Sequence, residues 1–236
     1  MLSRFATLGG LPGDPYWANV SYLLVGNGAN GTTTNIKDSS SNNFTTTVNG
    51  NTVISTAQSK FGTGSSVLYD GNGDYTSSPS NSAFSFGVGA YTVELWAYPL
   101  AVSNQVYAAM DTTGGSVFYY EVGTGFVIAP RGGGAVVSGG NGTLTATSWQ
   151  HIAFCRASTG SNQTKIYVNG QSVVTGTDST NWVITGPFVT GGLAANIYMF
   201  NGYIYDLRIT KGVCRYTADF TPPPFPPTSP MPTQGP

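Results

Sequence analysis

The residues best suited to chemistry in this chain are two glutamates, Glu94 and Glu121, a single histidine, His151, and two cysteines, Cys155 and Cys214. A retaining glycoside hydrolase needs two carboxyl groups about 5 Å apart, and a strand presents residues two positions apart on one face. Glu94 is followed by Leu95 and Trp96, so no second acid shares its face. Catalysis by this route requires Glu94 and Glu121 to meet in space. Any Ser-His-Asp or Cys-His relay must pass through His151. Cys155 falls on the same strand face as His151, but no third group is placed to orient the pair. The two cysteines lack the close pairing of a zinc site, and the sequence permits a bridge between them without requiring one.

Asp70-Gly71-Asn72-Gly73-Asp74 sets oxygen-bearing side chains at alternate positions, as the first half of a calcium loop does. Asp70, Asn72 and Asp74 are therefore candidate calcium ligands, and calcium is the one cofactor the sequence suggests. Against this, Tyr75 stands where such a loop needs glycine and no glutamate closes it. The competing reading is a polar hairpin whose aspartates cap backbone donors. Gly26 to Gly31 matches G-x-G-x-x-G, yet the threonines that follow open no helix to receive a pyrophosphate. Trp17 and Trp182 fall outside the regular strand patterns and are candidates for exposed stacking against a sugar ring.

These groups must be held by strands. Apolar residues rarely recur at helical spacing, whereas short alternating runs rich in Val, Ile, Tyr and Thr recur throughout. The firmest strands are Tyr91–Tyr98, Val117–Val122, Trp149–Arg156, Lys165–Val168, Ser172–Thr175 and Tyr203–Ile209, with weaker ones at Ser21–Val25, Ser66–Tyr69, Gly125–Ala129 and Asn196–Phe200. Asn141-Gly142, Asn169-Gly170 and Asn201-Gly202 accept positive φ and mark tight reversals between them. Many short strands without helical crossovers imply antiparallel sheets packed face to face.

Composition narrows the partners. Charged residues make up only 8% of the chain, against roughly 25% in an average domain. With nine basic and ten acidic residues and no basic cluster, the counterion-releasing surface that nucleic-acid binding needs is missing. A hydroxyl- and amide-rich surface suits protein packing or sugar contacts. Met1 to Ala6 contains no apolar leader core, and no apolar run approaches the ~20 residues that span a bilayer. Neither a membrane partner nor secretion by that route is expected. Apolar residues at 40% and aromatics at 13% suffice for one substantial core.

Phe61-Gly62 through Tyr75, Phe86 to Gly89 leading into Tyr91–Pro99, Trp149–Arg156 with Ile166–Gly170, and Gly202–Pro222 occur in an order that closely resembles the concanavalin A-like, laminin G-like jelly-roll superfamily. The resemblance implies an all-β antiparallel sandwich over 21–220, flanked by an N-terminal arm (1–20) and a proline-rich tail (221–236). It also implies that Trp96 and Trp149 are buried and that His151 is structural. Asp14 to Trp17 with Val20–Val25, Asp38–Phe44 and Ile54–Gly62 are similar to the version found in structural proteins of tailed bacteriophages of marine bacteria and cyanobacteria.

That setting implies a non-enzymatic virion protein, assembled in the host bacterial cytoplasm, decorating a capsid or forming part of a tail appendage by contacts with other virion proteins. By the same analogy it is a homo-oligomer, a trimer being the expectation. The alternative is a carbohydrate-binding receptor module of a tail fibre, recognising a host glycan; a glycan-degrading enzyme ranks third. The ends are expected to dock through Leu2, Phe5, Leu8 and Leu11 of the arm, and through Phe220, Phe225 and Met231 near or in the tail. Their sockets would be grooves on neighbouring subunits or on the sandwich itself, since free ends of this composition bury too little to offset ordering.

Overall fold

The computed structural model describes residues 13–61, 64–111 and 113–224. Among these, helix is confined to two single 3-10 turns, Trp17–Asn19 and Ser82–Phe84, and the rest of the regular structure is antiparallel β. Strands are numbered in chain order. The larger sheet contains β1 (Val20–Leu24), β3 (Val53–Ser55), β4 (Ser66–Asp70), β6 (Tyr91–Pro99), β11 (Gln150–Arg156), β12 (Thr164–Val168), β13 (Gln171–Gly176) and β15 (Asn201–Lys211). The smaller contains β2 (Thr47–Asn49), β5 (Tyr75–Ser78), β7 (Gln105–Met110), β8 (Ser116–Glu121), β9 (Gly125–Pro130), β10 (Val137–Gly140) and β14 (Phe188–Thr190). Their orders are β13-β12-β11-β6-β15-β4-β3, with β1 also on β15, and β10-β9-β8-β7-β14-β5-β2.

The two sheets face each other across one core. Period-two alternation aims Val93, Leu95 and Ala97 of β6, Ile152 and Phe154 of β11, and Phe118 and Tyr120 of β8 into it. Each fully buried side chain of this size stabilises the fold by about 1.5–3 kcal/mol. At one end of the core Arg156 is fully enclosed. It donates to Asp178 (3.1 Å) and to the carbonyls of Gly87 (2.6 Å), Gly89 (2.8 Å) and Thr180 (2.8 Å), tying two loops to the end of β11.

All six firm strands are present, with boundaries shifted by one or two residues. Asn169-Gly170 forms the expected hairpin turn, with φ of 50° and 80°. Asn201-Gly202, expected to reverse the chain, instead opens β15. Its glycine is required because a Cβ there would press into the Tyr98 carbonyl of the neighbouring strand. Asn196–Phe200 is a loop rather than a strand, with one isolated bridge from Leu193 to Ile197.

β15 organises the larger sheet. Along one edge it pairs with β6, and along the other its first residues pair with β4 and its later ones with β1. A bulge between Tyr205 and Arg208 separates these stretches, with Asp206 at φ 51°. The extra residue lets Asp206 and Arg208 share the outer face while Leu207 and Ile209 stay in the core.

Candidate functional site

The outer face of the larger sheet is closed by the chain's own segments. Past β15 a strap, residues 213–220, runs across β6, β11 and β12. Thr92 Oγ1 donates to the Val213 carbonyl (3.1 Å) and accepts from the Arg215 N–H (2.9 Å). Lys165 Nζ donates to the Thr217 carbonyl (2.7 Å), and Phe220 N–H donates to the Gly170 carbonyl (2.9 Å). Tyr216 and Phe220 stack with ring centroids 3.6 Å apart and pack over Ala153, Cys155 and Tyr167. Phe220 thus packs on its own sandwich. Leu2, Phe5, Leu8, Leu11, Phe225 and Met231 lie outside the described residues.

Beneath the strap is a buried charge cluster. Glu94, only 3% exposed, accepts from Tyr216 OH (2.7 Å) and meets His151 Nε2 (3.2 Å) and Arg215 Nε (3.3 Å). Arg215 and Arg208 both pair with the buried Asp14, and Arg208 also pairs with Asp206. Burial alone would raise the Glu94 carboxyl, but the His151 hydrogen bond and the Arg215 and Arg208 charges outweigh it and hold the group at about 2. Burial pushes Asp206 up to about 7 in spite of Arg208. Oε2 of this buried carboxylate is held by Tyr216 and His151, while Oε1 has the Arg215 charge beside it but no hydrogen bond; the group anchors the strap and is closed to solvent.

Glu121 is on the other side of the molecule. It alternates with Tyr120, which faces the core, so it projects from the outer face of the smaller sheet. Sheets stack about 10 Å apart, so Glu94 and Glu121 are separated by the whole sandwich and cannot form a hydrolase pair. His151 is enclosed, with Nε2 on Glu94 and its ring against Trp96 and Phe220, while Nδ1 is buried without a hydrogen-bond partner.

The smaller sheet carries an open groove of about 200 Å³ on that outer face. Val117 of β8, Ala129 of β9 and Leu193 form an apolar floor. Two half-buried tyrosines, Tyr119 and Tyr198, stand on it with centroids 5.7 Å apart. Tyr198 has φ 51°, a conformation costing a bulky residue about 1–3 kcal/mol. Its carbonyl accepts from Val106 N–H (2.7 Å), and its hydroxyl leans toward Glu121 (3.5 Å). The strained backbone thus turns the ring onto the groove. At the opposite end, Arg131 Nε donates to Asp111 Oδ1 (2.7 Å), while Asp111 Oδ2 accepts from Ala194 N–H (3.0 Å). The groove offers aromatic faces, tyrosine hydroxyls and guanidinium donors within one depression.

Neither candidate tryptophan belongs to it. Trp182, expected to be exposed, is 0% exposed. Its indole N–H donates to Asp178 (2.8 Å), making it part of the Arg156 cluster in the core. Trp17 is half-buried in a turn whose Asp14 pairs with Arg208 of the larger sheet and Arg215 of the strap, on the opposite face of the sandwich. Trp96 is buried as expected, but Trp149 is only half-buried. Asp70, Asn72 and Asp74 lie in a polar turn that carries the chain from β4 of the larger sheet to β5 of the smaller, so it is not a hairpin; Asp74 accepts from the N–H groups of Asn51 (2.7 Å) and Asp70 (2.9 Å), and Asp70 accepts from Asn72 N–H (2.7 Å). Sequence reasoning missed Tyr119, Tyr198, Arg131 and Asp111 as a group. Only the outward phase of Tyr119 and Glu121 in their strand was available to find them.

An all-β jelly roll with an aromatic groove on one outer face defines a lectin-like sandwich. The chain belongs to the concanavalin A-like lectin/glucanases superfamily, whose laminin G-type model matches residues 70–215. No curated protein sequence matches it. Among solved structures, domain 4 of AbnA, an extracellular arabinanase of Geobacillus stearothermophilus in complex with arabinotriose, is similar at 18% identity and TM-score 0.58, covering 83% of this chain and 94% of that one. The receptor-binding domain of botulinum neurotoxin D is similar at 15% identity and TM-score 0.60, covering 84% of this chain. A botulinum neurotoxin DC binding domain in complex with SialylT gives 13% identity and TM-score 0.56. This chain spans about half the length of the two toxin domains, 50% and 49%. At these identities the likeness is one of fold.

Proposed function

We propose that the protein is a non-enzymatic carbohydrate-binding module that seats a glycan in the groove of the smaller sheet. The observation that carries this reading is Tyr198, held in a strained backbone conformation so that its ring stands beside Tyr119 over an apolar floor. Sugar rings present apolar C–H faces and polar edges. Two aromatic rings over an apolar floor, with Arg131 beside them, meet both. The arabinotriose and SialylT complexes of the two similar domains support the class of ligand. An open, shallow groove with few anchors fits affinities in the micromolar to millimolar range. Purified protein applied to a glycan array should bind, and Tyr119→Ala or Tyr198→Ala should weaken binding at least about tenfold with melting temperature little changed. Full retention in both variants would refute the groove as the site. No sugar release is expected from any glycan bound.

For the setting, we propose a receptor module on the surface of a tailed-phage particle, supported by the wording of residues 14–25, 38–44 and 54–62. Labelled antibody on intact particles tests it. Absence from the particle contradicts the setting without touching the glycan reading.

A further inference from the structure

We infer that the groove selects uncharged glycans, and that Arg131 is its specificity-determining contact, reading a pair of adjacent sugar hydroxyls. This rests on the glycan-binding reading and names its ligand class. The Arg131 guanidinium is held in a particular way. Its Nε is committed to Asp111, and the Asp111 carboxylate, whose side chain is 9% exposed, has its second oxygen committed to the Ala194 N–H. Asp111 therefore has little left to offer a ligand; it fixes the plane of the guanidinium and cancels its charge. The Arg131 side chain remains 26% exposed, and among the described residues neither Nη atom has a partner. Arg131 lines both the groove under Tyr119 and the adjoining depression at Thr113. Two parallel N–H donors in a fixed fork are thus presented at the end of an aromatic floor.

Such a fork fits either a carboxylate or two neighbouring hydroxyl oxygens. Charge decides between them. Among the described residues Arg131 alone brings a charge to the groove lining, and its ion pair with Asp111 cancels that charge, so a uronate or sialate entering it meets no net positive charge to offset its desolvation. An uncharged sugar carries no such cost. Its hydroxyls can accept from Arg131 and donate to the Tyr119 hydroxyl.

The test is an array carrying neutral, uronate-containing and sialylated glycans, probed at low and high sodium chloride. Neutral glycans should dominate, with binding that changes less than about twofold with salt, because no net ion pairing is screened. Arg131→Gln should weaken the neutral signal at least about tenfold. Arg131→Lys, which keeps a cation for Asp111 but loses the fork, should weaken it by a similar factor while leaving the melting temperature near that of the parent. Preference for acidic glycans, with salt-sensitive binding, would overturn the inference and leave the glycan reading intact. Neutral binding unchanged in Arg131→Lys would remove Arg131 from the specificity role. Silence across the array, in a protein that melts cooperatively, would remove both readings together.

Discussion

Arg156 and Asp178 form a pair with no exposed surface on either side chain. Tyr91 OH and the Trp182 indole also donate to Asp178. Removing one partner of such a pair leaves an uncompensated charge in the core. Arg156→Met should therefore cost about 3–5 kcal/mol, read by urea denaturation; a loss below about 1 kcal/mol would show that the loops are held by other contacts. The cysteines invite a different measurement. Thr92 pairs across the sheet with Cys155 and bonds to the strap on both sides of Cys214, which brings Cys214 over Cys155. Burial pushes the Cys155 thiol well up, whereas the hydrogen bond between the two thiols lowers that of Cys214, with Lys165 adding to the effect. Because the thiolate is the nucleophile, iodoacetamide at pH 8 should modify Cys214 first and Cys155 only on unfolding. Mapping by peptide mass decides this, and equal rates at both positions would contradict it.

At the scale of elements, the bulge of β15 and the strap beyond it give the larger sheet a pH signature. Glu94, held at about 2 against an ordinary 4.5, contributes stability that is complete above that ordinary value and is lost as pH falls toward 2. Asp206 works in the opposite sense. With its folded value raised to about 7 from 3.8, the folded state holds the proton more tightly than the unfolded chain, so stability declines as pH rises from about 4 to about 7. Asp206→Asn should flatten that decline in a melting-temperature profile while leaving the acid limb in place. A profile unchanged above pH 4 would place the carboxylate in a fully compensated pair with Arg208. The strap also has a packing component. The stacked Tyr216 and Phe220 rings should show a coupling of about 1 kcal/mol in a double-mutant cycle to alanine. Gly170→Ala should loosen the same contact, since φ of 80° disfavours a Cβ and that Cβ would be driven into the Phe220 carbonyl.

Taken whole, the sandwich assigns its two outer faces to different tasks: one is covered by the strap and its ion pairs, the other is open and carries the groove. The two faces share no residue and lie on opposite sides of the core, so they should be energetically independent. Tyr216→Ala should lower melting temperature but leave glycan affinity within about twofold, and Tyr119→Ala should do the reverse. Affinity that falls in step with strap stability would indicate that the two faces are coupled through the core.

Local pattern alone determined the class of fold. Period-two runs such as Tyr91–Tyr98, the Asn169-Gly170 turn and the absence of helical spacing specify antiparallel strands, because which face a side chain takes is a property of the strand itself. Strands of three or four residues such as Thr47–Asn49 and Phe188–Thr190, and the unalternating Gln105–Met110, carry too little pattern to be read and exist because neighbours complete their ladders. The site lay beyond local pattern altogether. Glu94 and Glu121 are alike as residues and differ only in which sheet carries them outward. Trp182 stood in an irregular segment that suggested exposure, yet an indole N–H with a buried acceptor four residues away belongs in the core. Asp111, Tyr119, Arg131 and Tyr198 are drawn from two strand ends, the middle of a strand and a loop up to 87 residues apart in sequence. Only the packing of β7, β8 and β9 beside the 192–200 loop assembles them, because a groove is a property of surfaces that strands share and not of any one strand.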